Sequence, residues 1–278
     1  ILDRDAYDFQ KTLPVMKDSG VKWARVQSGW NKTEREPGAY DFAWLDEIVD
    51  GLRGIGIQPW ISISYGNALY TPYPEGGSPR PNFGYARSVP LHYGERAVEA
   101  WKAYCFHLAR HFSGRVRHWE VWNEPNTAFW GRDPDPAEYV ELVRITATQV
   151  RRAMPDALII GGAISAFECR NQYINELVKA GIRDHIDIFS YHPYCQIPEP
   201  AIERRVRYLK RLFEPYGIPL WQGENGRPSS TCAVGRGYKL NLATQAKFVT
   251  RRIITDLKVG FEMTSYFLVA DQNEAYCG

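Results

Sequence analysis

Short β-rich runs alternate with amphipathic helical windows along nearly the whole chain. The β-rich runs lie at residues 21–27, 58–65, 116–123, 157–163, 186–192, 218–224 and 262–269. Windows with apolar residues at helical spacing lie at residues 5–19, 42–54, 93–112, 136–154, 171–180, 201–216 and 240–258. Such alternation is typical of a parallel sheet wrapped by helices. We therefore predict an α/β fold, a (β/α)₈ TIM barrel whose first strand and last helix lie outside this sequence.

The length and composition agree with one barrel. A chain of 278 residues matches the usual size of this fold, so we expect residues 1–278 to form a single domain. Residues 66–90 are rich in Gly, Pro, Asn and Ser and are too many for an ordinary connection, which predicts a loop over the barrel mouth. The sequence leaves open the oligomeric state and an appended β-domain in a longer protein.

The charge balance excludes one class of partner. The chain carries 34 basic and 32 acidic residues, mixed along its length, for a net charge of +2. Such a chain has no general attraction for a polyanion, so nucleic acid is not expected as a partner.

No stretch approaches the roughly 18 apolar residues of a membrane span, and no membrane partner is expected. The first residues show no signal-peptide pattern, and the location stays open, with a secreted or periplasmic one favoured.

The five cysteines show no paired C-x-x-C spacing, which argues against a zinc site. Cys195 and Cys232 follow two strand ends that a barrel brings together. A disulfide between them is compatible with this placement, and the sequence leaves it open.

Two glutamates stand at the ends of apolar strands. Glu124 ends the run at residues 116–123 and is followed by Pro125, and Glu224 ends the run at residues 218–224 and is followed by a glycine-containing turn. The carboxyl ends of barrel strands point into the mouth, where this fold carries its chemistry. One such glutamate alone is usually a salt-bridged strand end. With one strand missing, however, these two lie on the fourth and seventh strands and face each other.

A facing pair of carboxyl groups is what glycoside hydrolysis needs. Cleavage of an acetal requires a proton for the leaving oxygen and stabilisation of an oxocarbenium-like transition state. We assign Glu124 as general acid and base, because it stands beside apolar Trp122, and Glu224 as the ionised nucleophile. No cofactor or metal is expected. The chain contains no G-x-S-x-G elbow, phosphate-binding loop or H-E-x-x-H helix that would indicate other chemistry.

The motif around the first glutamate resembles a known group of enzymes. Trp-Asn-Glu-Pro-Asn at residues 122–126, with Phe129-Trp130 after it and Gly223-Glu224 later, resembles clan A of the glycoside hydrolases, and within it family 39 (β-xylosidase-like) or a near relative. The resemblance implies a (β/α)₈ fold and retaining hydrolysis of β-glycosidic bonds in oligo- or polysaccharides. It also implies the acid/base on the fourth strand and the nucleophile on the seventh.

The resemblance further implies a set of substrate-binding residues. Asn123 matches the position that bonds the sugar 2-hydroxyl, Arg25 one that orients the nucleophile, and His192 and Tyr194 a pair near the nucleophile. The remaining candidates for sugar contact are Trp30, Tyr65, Asn67, Trp130 and Tyr266. The chain departs from the family pattern at Tyr65 and Asn67, where many relatives place His, and at Tyr266, where Trp is common. Each supporting residue also has a structural interpretation, as a hydrogen-bonded histidine or a loop-packing aromatic.

Two other functions remain open from the sequence. A sugar hydroxyl in place of water would make the same covalent intermediate the basis of a transglycosylase. A barrel that kept the aromatic mouth but lost turnover would be a catalytically weak carbohydrate-binding module. Xyloside, galactoside, glucoside and arabinoside are all open as substrates, and the long loop at residues 66–90 favours a pocket for short ones.

Overall fold

A computed structural model of the protein describes residues 2–5, 7–72, 85–166, 171–195, 197–229 and 241–270. Seven of its strands form one parallel sheet in the order β1-β4-β5-β6-β7-β8-β9. The strands are β1 (Trp23–Gln27), β4 (Gln58–Ile63), β5 (His118–Val121), β6 (Leu158–Ser165), β7 (Ile188–His192), β8 (Leu220–Gln222) and β9 (Met263–Thr264). Every neighbouring pair is parallel, and the curled sheet is that of a partial (β/α)₈ barrel, as predicted.

Helices connect the strands and cover the outside of the sheet. They are α1 (Phe9–Ser19), α2 (Trp30–Thr33), α3 (Ala43–Gly54), α4 (Glu95–His111), α5 (Pro136–Ala153), α6 (Asn171–Lys179), α7 (Glu199–Phe213) and α8 (Leu242–Val259). Helix α1 begins at Asp8, whose side chain accepts a hydrogen bond from the Gln10 amide, and ends at Gly20, where φ is 76°. Within the described ranges, no helix combines the length and the apolar character needed to cross a membrane.

The structure also contains a small antiparallel ribbon that we did not predict. Its strands are β2 (Glu34–Glu36) and β3 (Ala39–Tyr40), joined by a turn in which Gly38 has a φ of 78°. A run this short carries too few residues for a strand pattern to be visible. The predicted mouth loop at residues 66–90 lies partly outside the described residues.

The strand predicted at residues 262–269 ends earlier than expected, because the residues after it bond to the segment that follows β8. Strand β9 was predicted to reach residue 269 and ends at Thr264. Beyond it, the Ser265 hydroxyl donates to the Gly223 carbonyl and the Phe267 amide donates to the Asn225 carbonyl. These bonds replace a regular ladder and tie the end of β9 to the segment after β8.

The barrel interior changes from apolar to polar along the strands. Trp60, Ile160, Ile188, Trp221 and Met263 form an apolar cluster inside the barrel, with Trp23 packed against it. Side chains alternate along a strand, so positions two residues further on share the inner face. Those positions are polar or small: Arg25, Ser62, Gly162, Ser190, Gly223 and Ser265. Glu120 lies at the level of Ser62, two residues after His118, whose ring stacks on Trp221. The apolar cluster thus closes the bottom of the barrel, and a polar layer lies beneath its mouth.

Candidate active site

The chain after β5 turns sharply and directs Glu124 into the mouth. Trp122 and Glu124 have φ values of 65° and 47°, a left-handed conformation that is costly for residues other than glycine. The Glu124 amide donates to the Ala163 carbonyl at 3.0 Å, and the Glu124 carbonyl accepts a bond from the Thr127 hydroxyl at 2.9 Å. Strand β6 and the following turn therefore hold this strained backbone in place. The placement of Glu124 at the mouth agrees with the sequence prediction.

Glu224 stands at the corresponding place after β8. The turn that carries it is anchored to the end of β9, because the Ser265 hydroxyl donates to the Gly223 carbonyl at 2.7 Å and the Asn225 side-chain amide donates to the Ser265 carbonyl at 2.6 Å. The side chains of Glu124 and Glu224 are 13% and 15% exposed, which leaves both in reach of a ligand in the mouth.

The two carboxylates meet at His192, the last residue of β7. One oxygen of each glutamate and a ring nitrogen of His192 all lie within 4.8 Å of one another. His192 Nδ1 is 3.2 Å from Glu124 Oε1 and 4.0 Å from Glu224 Oε2. Burial lowers the pKa of His192 to about 4, against the opposing effect of Glu224. The imidazole is therefore neutral near pH 7.

Arg25 on β1 carries the positive charge of the site. Its Nη1 donates to Glu224 Oε2 at 2.7 Å, its Nε to Glu120 Oε2 at 2.5 Å and its Nη2 to Asn123 Oδ1 at 2.9 Å. Burial acts to lower the pKa of Arg25, but Glu120 and Glu224 outweigh it and raise the pKa above its usual value. The guanidinium thus stays charged and holds three side chains at once. Sequence analysis did not single out Glu120.

Tyr194 completes the hydrogen bonds to Glu224. Its hydroxyl donates to Glu224 Oε1 at 2.6 Å. Burial and then the nearby Glu224 raise the pKa of Tyr194 well above 10, so the phenol keeps its proton. Each oxygen of Glu224 therefore accepts a hydrogen bond from a permanent donor, as an ionised carboxylate does. The structure brings together five of the sequence candidates, Arg25, Asn123, Glu124, His192 and Tyr194, with Glu224.

Two further candidates lie at the edge of this group. Tyr65 is buried, with its ring at right angles to that of Trp122 and its hydroxyl accepting a bond from Gln27 Nε2 at 3.3 Å. Tyr266 is half-buried, and its hydroxyl donates to the Arg227 carbonyl at 2.9 Å and accepts from the Arg227 amide at 3.1 Å. Tyr266 thus fixes the segment that follows Glu224.

The structure does not bring Trp30, Asn67 or Trp130 to the carboxylates. All three are 0% exposed. Trp30 Nε1 donates to Glu34 Oε2 at 2.6 Å, and Asn67 Nδ2 donates to the backbone carbonyls of Trp30 and Glu34. Trp130 packs edge-on against Trp122. They support the loops of the mouth from below, and their predicted contact with substrate is replaced by this structural role.

The structural role of Asn67 predicts the effect of its removal. Asn67→Ala removes a buried side-chain donor from two carbonyls, of which that of Trp30 still accepts from the Glu34 amide, so we expect the free energy of unfolding to fall by about 1–3 kcal/mol with KM unchanged. Urea denaturation and steady-state kinetics measure the two quantities. The matched control is Asn31→Ala, whose exposed side chain accepts one bond from the Ala68 amide and whose loss costs less. A raised KM with an unchanged free energy of unfolding would show that Asn67 contacts the substrate instead.

The disulfide that the sequence leaves open between Cys195 and Cys232 lies partly outside the described residues, because Cys232 is not among them. Cys195 lies within them, and its Sγ accepts a bond from Arg252 Nη1 at 3.4 Å.

The cluster of Glu124, His192 and Glu224 also has the spacing of a cation site among the described residues. The guanidinium of Arg25, however, already lies 2.7 Å from Glu224 and would repel a cation bound there. The charges therefore favour an acid–base site over a metal site.

The fold and the site together define a (β/α)₈ barrel with two carboxylates at its mouth, an arrangement that glycoside hydrolysis uses. The sequence matches the model of the glycosyl hydrolases family 39 over residues 6–202, and the chain belongs to this family. The matched segment includes Glu124 and His192 but ends before Glu224.

Relatives agree with this assignment. A β-xylosidase of Caldicellulosiruptor saccharolyticus is 27% identical over 98% of this chain and 58% of its own length, and one of Geobacillus stearothermophilus is 28% identical over 56% of this chain and 31% of its own. A family 39 β-xylosidase structure from Caulobacter crescentus shares the fold, with a TM-score of 0.67 and 21% identity over 95% of this chain and 59% of that one. The chain thus spans little more than half the length of the Caldicellulosiruptor and Caulobacter proteins.

Proposed function

We propose that this chain is the catalytic barrel of a retaining β-glycosidase, with Glu224 as nucleophile and Glu124 as acid/base. The spacing of the carboxylates carries the proposal, because an oxygen of one lies within 4.8 Å of an oxygen of the other. Retaining enzymes separate the two groups by about 5–5.5 Å, whereas inverting enzymes leave about 6.5–9.5 Å for a water molecule. The gap here suits direct attack by a carboxylate on the sugar.

The reaction then proceeds in two displacements. In the first, Glu224 forms a bond to the anomeric carbon while the glycosidic C–O bond breaks and Glu124 protonates the departing oxygen. In the second, Glu124 removes a proton from water, the water oxygen bonds to the anomeric carbon, and the bond to Glu224 breaks. Both displacements invert the anomeric carbon, so its configuration is retained overall.

The neighbours of each carboxylate fit these roles. Arg25 donates a hydrogen bond to Oε2 of Glu224 and Tyr194 donates one to Oε1, which together orient the attacking group. His192 is neutral and contacts Glu124 at 3.2 Å, so it adds no positive charge that would expel the proton of the acid. The backbone of Glu124 is held in a left-handed conformation, and such strained conformations cluster at functional sites.

Asn123 fits a role in sugar binding. Its Oδ1 accepts a bond from Arg25, which directs its NH₂ group away from the guanidinium. We propose that this group donates to the sugar 2-hydroxyl next to the reacting carbon. Such a bond strengthens as charge develops in the transition state.

We propose a β-xyloside as the substrate, because relatives that match 98% and 56% of this chain are named as β-xylosidases. Proton NMR during hydrolysis of an aryl β-xyloside tests both substrate and mechanism. The first product should be β-xylose, which then equilibrates with the α anomer. Initial release of α-xylose would overturn the retaining mechanism, and cleavage of an aryl galactoside or glucoside alone would overturn only the sugar.

A further inference from the structure

Glu120 is a charged residue in the middle of an apolar strand. It lies on β5 between Trp119 and Val121, and all three residues are 0% exposed. Burying a carboxylate is costly unless it is paired and hydrogen-bonded. Its Oε2 receives a bond from Arg25 Nε at 2.5 Å, whereas its Oε1 has no partner among the described residues. Half of this buried carboxylate is therefore left for another contact.

Two other buried atoms nearby are in the same condition. Ser190 Oγ and His192 Nε2, both from β7, also lack a hydrogen-bond partner among the described residues. All three atoms converge on Gly223, since a Cβ atom at that position would lie 2.1 Å from Ser190 Oγ, 3.1 Å from His192 Nε2 and 3.3 Å from Glu120 Oε1. Glycine at residue 223 thus lets these three polar atoms lie close together, because a side chain there would collide with Ser190 Oγ.

A single water molecule that bonds to all three atoms would give each of them a hydrogen-bond partner. Buried waters make about three hydrogen bonds to polar groups that otherwise lack partners. Here a carboxylate oxygen, a hydroxyl and an imidazole nitrogen are available, and leaving any of them buried without a partner is unfavourable.

We propose that Glu120 is a positioning residue that connects the two catalytic carboxylates, through Arg25 on one side and through a bound water and His192 on the other. The inference depends on the proposed function, because it assumes the roles of Glu224 and Glu124. Arg25 links Glu120 to Glu224, because its guanidinium donates a hydrogen bond to each, that to Glu224 at 2.7 Å. His192 links the proposed water to Glu124, because Nε2 of its ring faces the water and Nδ1 lies 3.2 Å from Glu124 Oε1.

The charges around Glu120 support this connection. Arg25 contacts it from β1, and His192 of β7 and Tyr139 of α5 lie within electrostatic reach, while Glu224 after β8 binds the same guanidinium. Arg25 is the one cation in this group, so Glu120 and Glu224 share a single positive charge. A change in the charge of Glu120 must therefore alter the protonation of the groups above it.

The variant Glu120→Gln tests the proposal because it removes the charge and keeps the shape. Loss of a nearby negative charge favours the ionised form of Glu224 and disfavours the protonated form of Glu124. We expect both limbs of the pH profile of kcat/KM to move to lower pH by about one unit. The maximal kcat should fall about 10- to 100-fold, because Arg25 is held less firmly.

Glu34→Gln is the matched control. Glu34 is also buried and accepts bonds from Trp30 Nε1, the Tyr70 hydroxyl and the Gly38 amide, but none of these residues contacts a catalytic carboxylate. We expect it to lower the thermal midpoint and leave both limbs of the pH profile in place. If Glu120→Gln behaves in the same way, Glu120 is merely structural and the proposal is overturned.

A second pair of variants tests the water bridge without replacing Glu120. Ser190→Gly combined with Gly223→Ala places a methyl group 3.1 Å from His192 Nε2 and 3.3 Å from Glu120 Oε1, where it excludes a bridging water, and Ser190→Gly alone is the control. The double variant should move the basic limb, which reports Glu124, and leave the acidic limb in place. An unmoved basic limb would remove the water from the proposal. Full activity of Glu224→Gln would instead refute the proposed function, and so the two failures are distinguishable.

Discussion

Replacement of Glu224 by alanine is expected to lower kcat by about 10⁴-fold or more, since losing a covalent nucleophile removes the first displacement itself. Azide should restore part of the activity, because it can enter the space that the side chain leaves and attack the anomeric carbon from the same face. That attack occurs once, so the product should be the α-glycosyl azide. Discontinuous rate assays measure the loss of kcat and its partial recovery with azide, and NMR gives the configuration of the azide product.

The control for this variant is Glu262→Ala. Glu262 immediately precedes β9 at the opposite end of the barrel, where its amide donates to the Leu220 carbonyl. Its loss should leave kcat unchanged. A Glu224→Ala protein that is folded and keeps most of the wild-type rate would show that the nucleophile lies elsewhere.

Replacement of Glu124 by alanine should have an effect that depends on the leaving group. General acid catalysis contributes about 10²- to 10⁴-fold, and we expect a loss of this size with a poorly departing alkoxide. A dinitrophenolate leaves without protonation, so its release should be little affected in the first displacement. Comparison of kcat/KM across aryl glycosides of graded leaving-group pKa measures the difference.

Azide also distinguishes the two glutamates. In Glu124→Ala it should attack the glycosyl-enzyme from the face opposite Glu224, and two displacements then yield the β-glycosyl azide. An equal loss of rate across all leaving groups, with no azide product, would contradict the assignment of Glu124 as the acid.

The fold was predictable because strand and helix periodicity survive in each unit of the chain. The positions of Glu124 and Glu224 followed from the same pattern, since each ends an apolar run and the carboxyl ends of parallel strands share one side of the sheet. The contacts of Arg25, His192 and Tyr194 were implied by family resemblance, because spacing alone does not show which strand-end residues meet.

The aromatic and amide candidates show where such prediction ends. A tryptophan near a strand end has the same sequence signature whether it lines the mouth or packs beneath a loop. Trp30 and Trp130 are fully buried, and the difference depends on tertiary contacts with Glu34 and Trp122. The assignment of residues 1–278 to a single domain and the location of the protein stay predictions.

Glu120 could have been found from the sequence. A carboxylate in the middle of a buried strand requires a partner, and Arg25 on another inner strand has the opposite charge. The sequence analysis did not predict the ion pair between these two residues. The converging atoms around Gly223 had no such signal, because they come from separate strands.

Trapping of the covalent intermediate tests the central claim most directly. The protein is incubated with 2-deoxy-2-fluoro-β-xylosyl fluoride, and its peptides are then analysed by mass spectrometry. The fluorine at C2 slows both displacements, but the good leaving group at C1 keeps the first one fast enough for the covalent intermediate to accumulate. The account predicts one fluoroxylosyl group on Glu224 and none in the Glu224→Ala variant. A label on another carboxylate of the folded protein would contradict it.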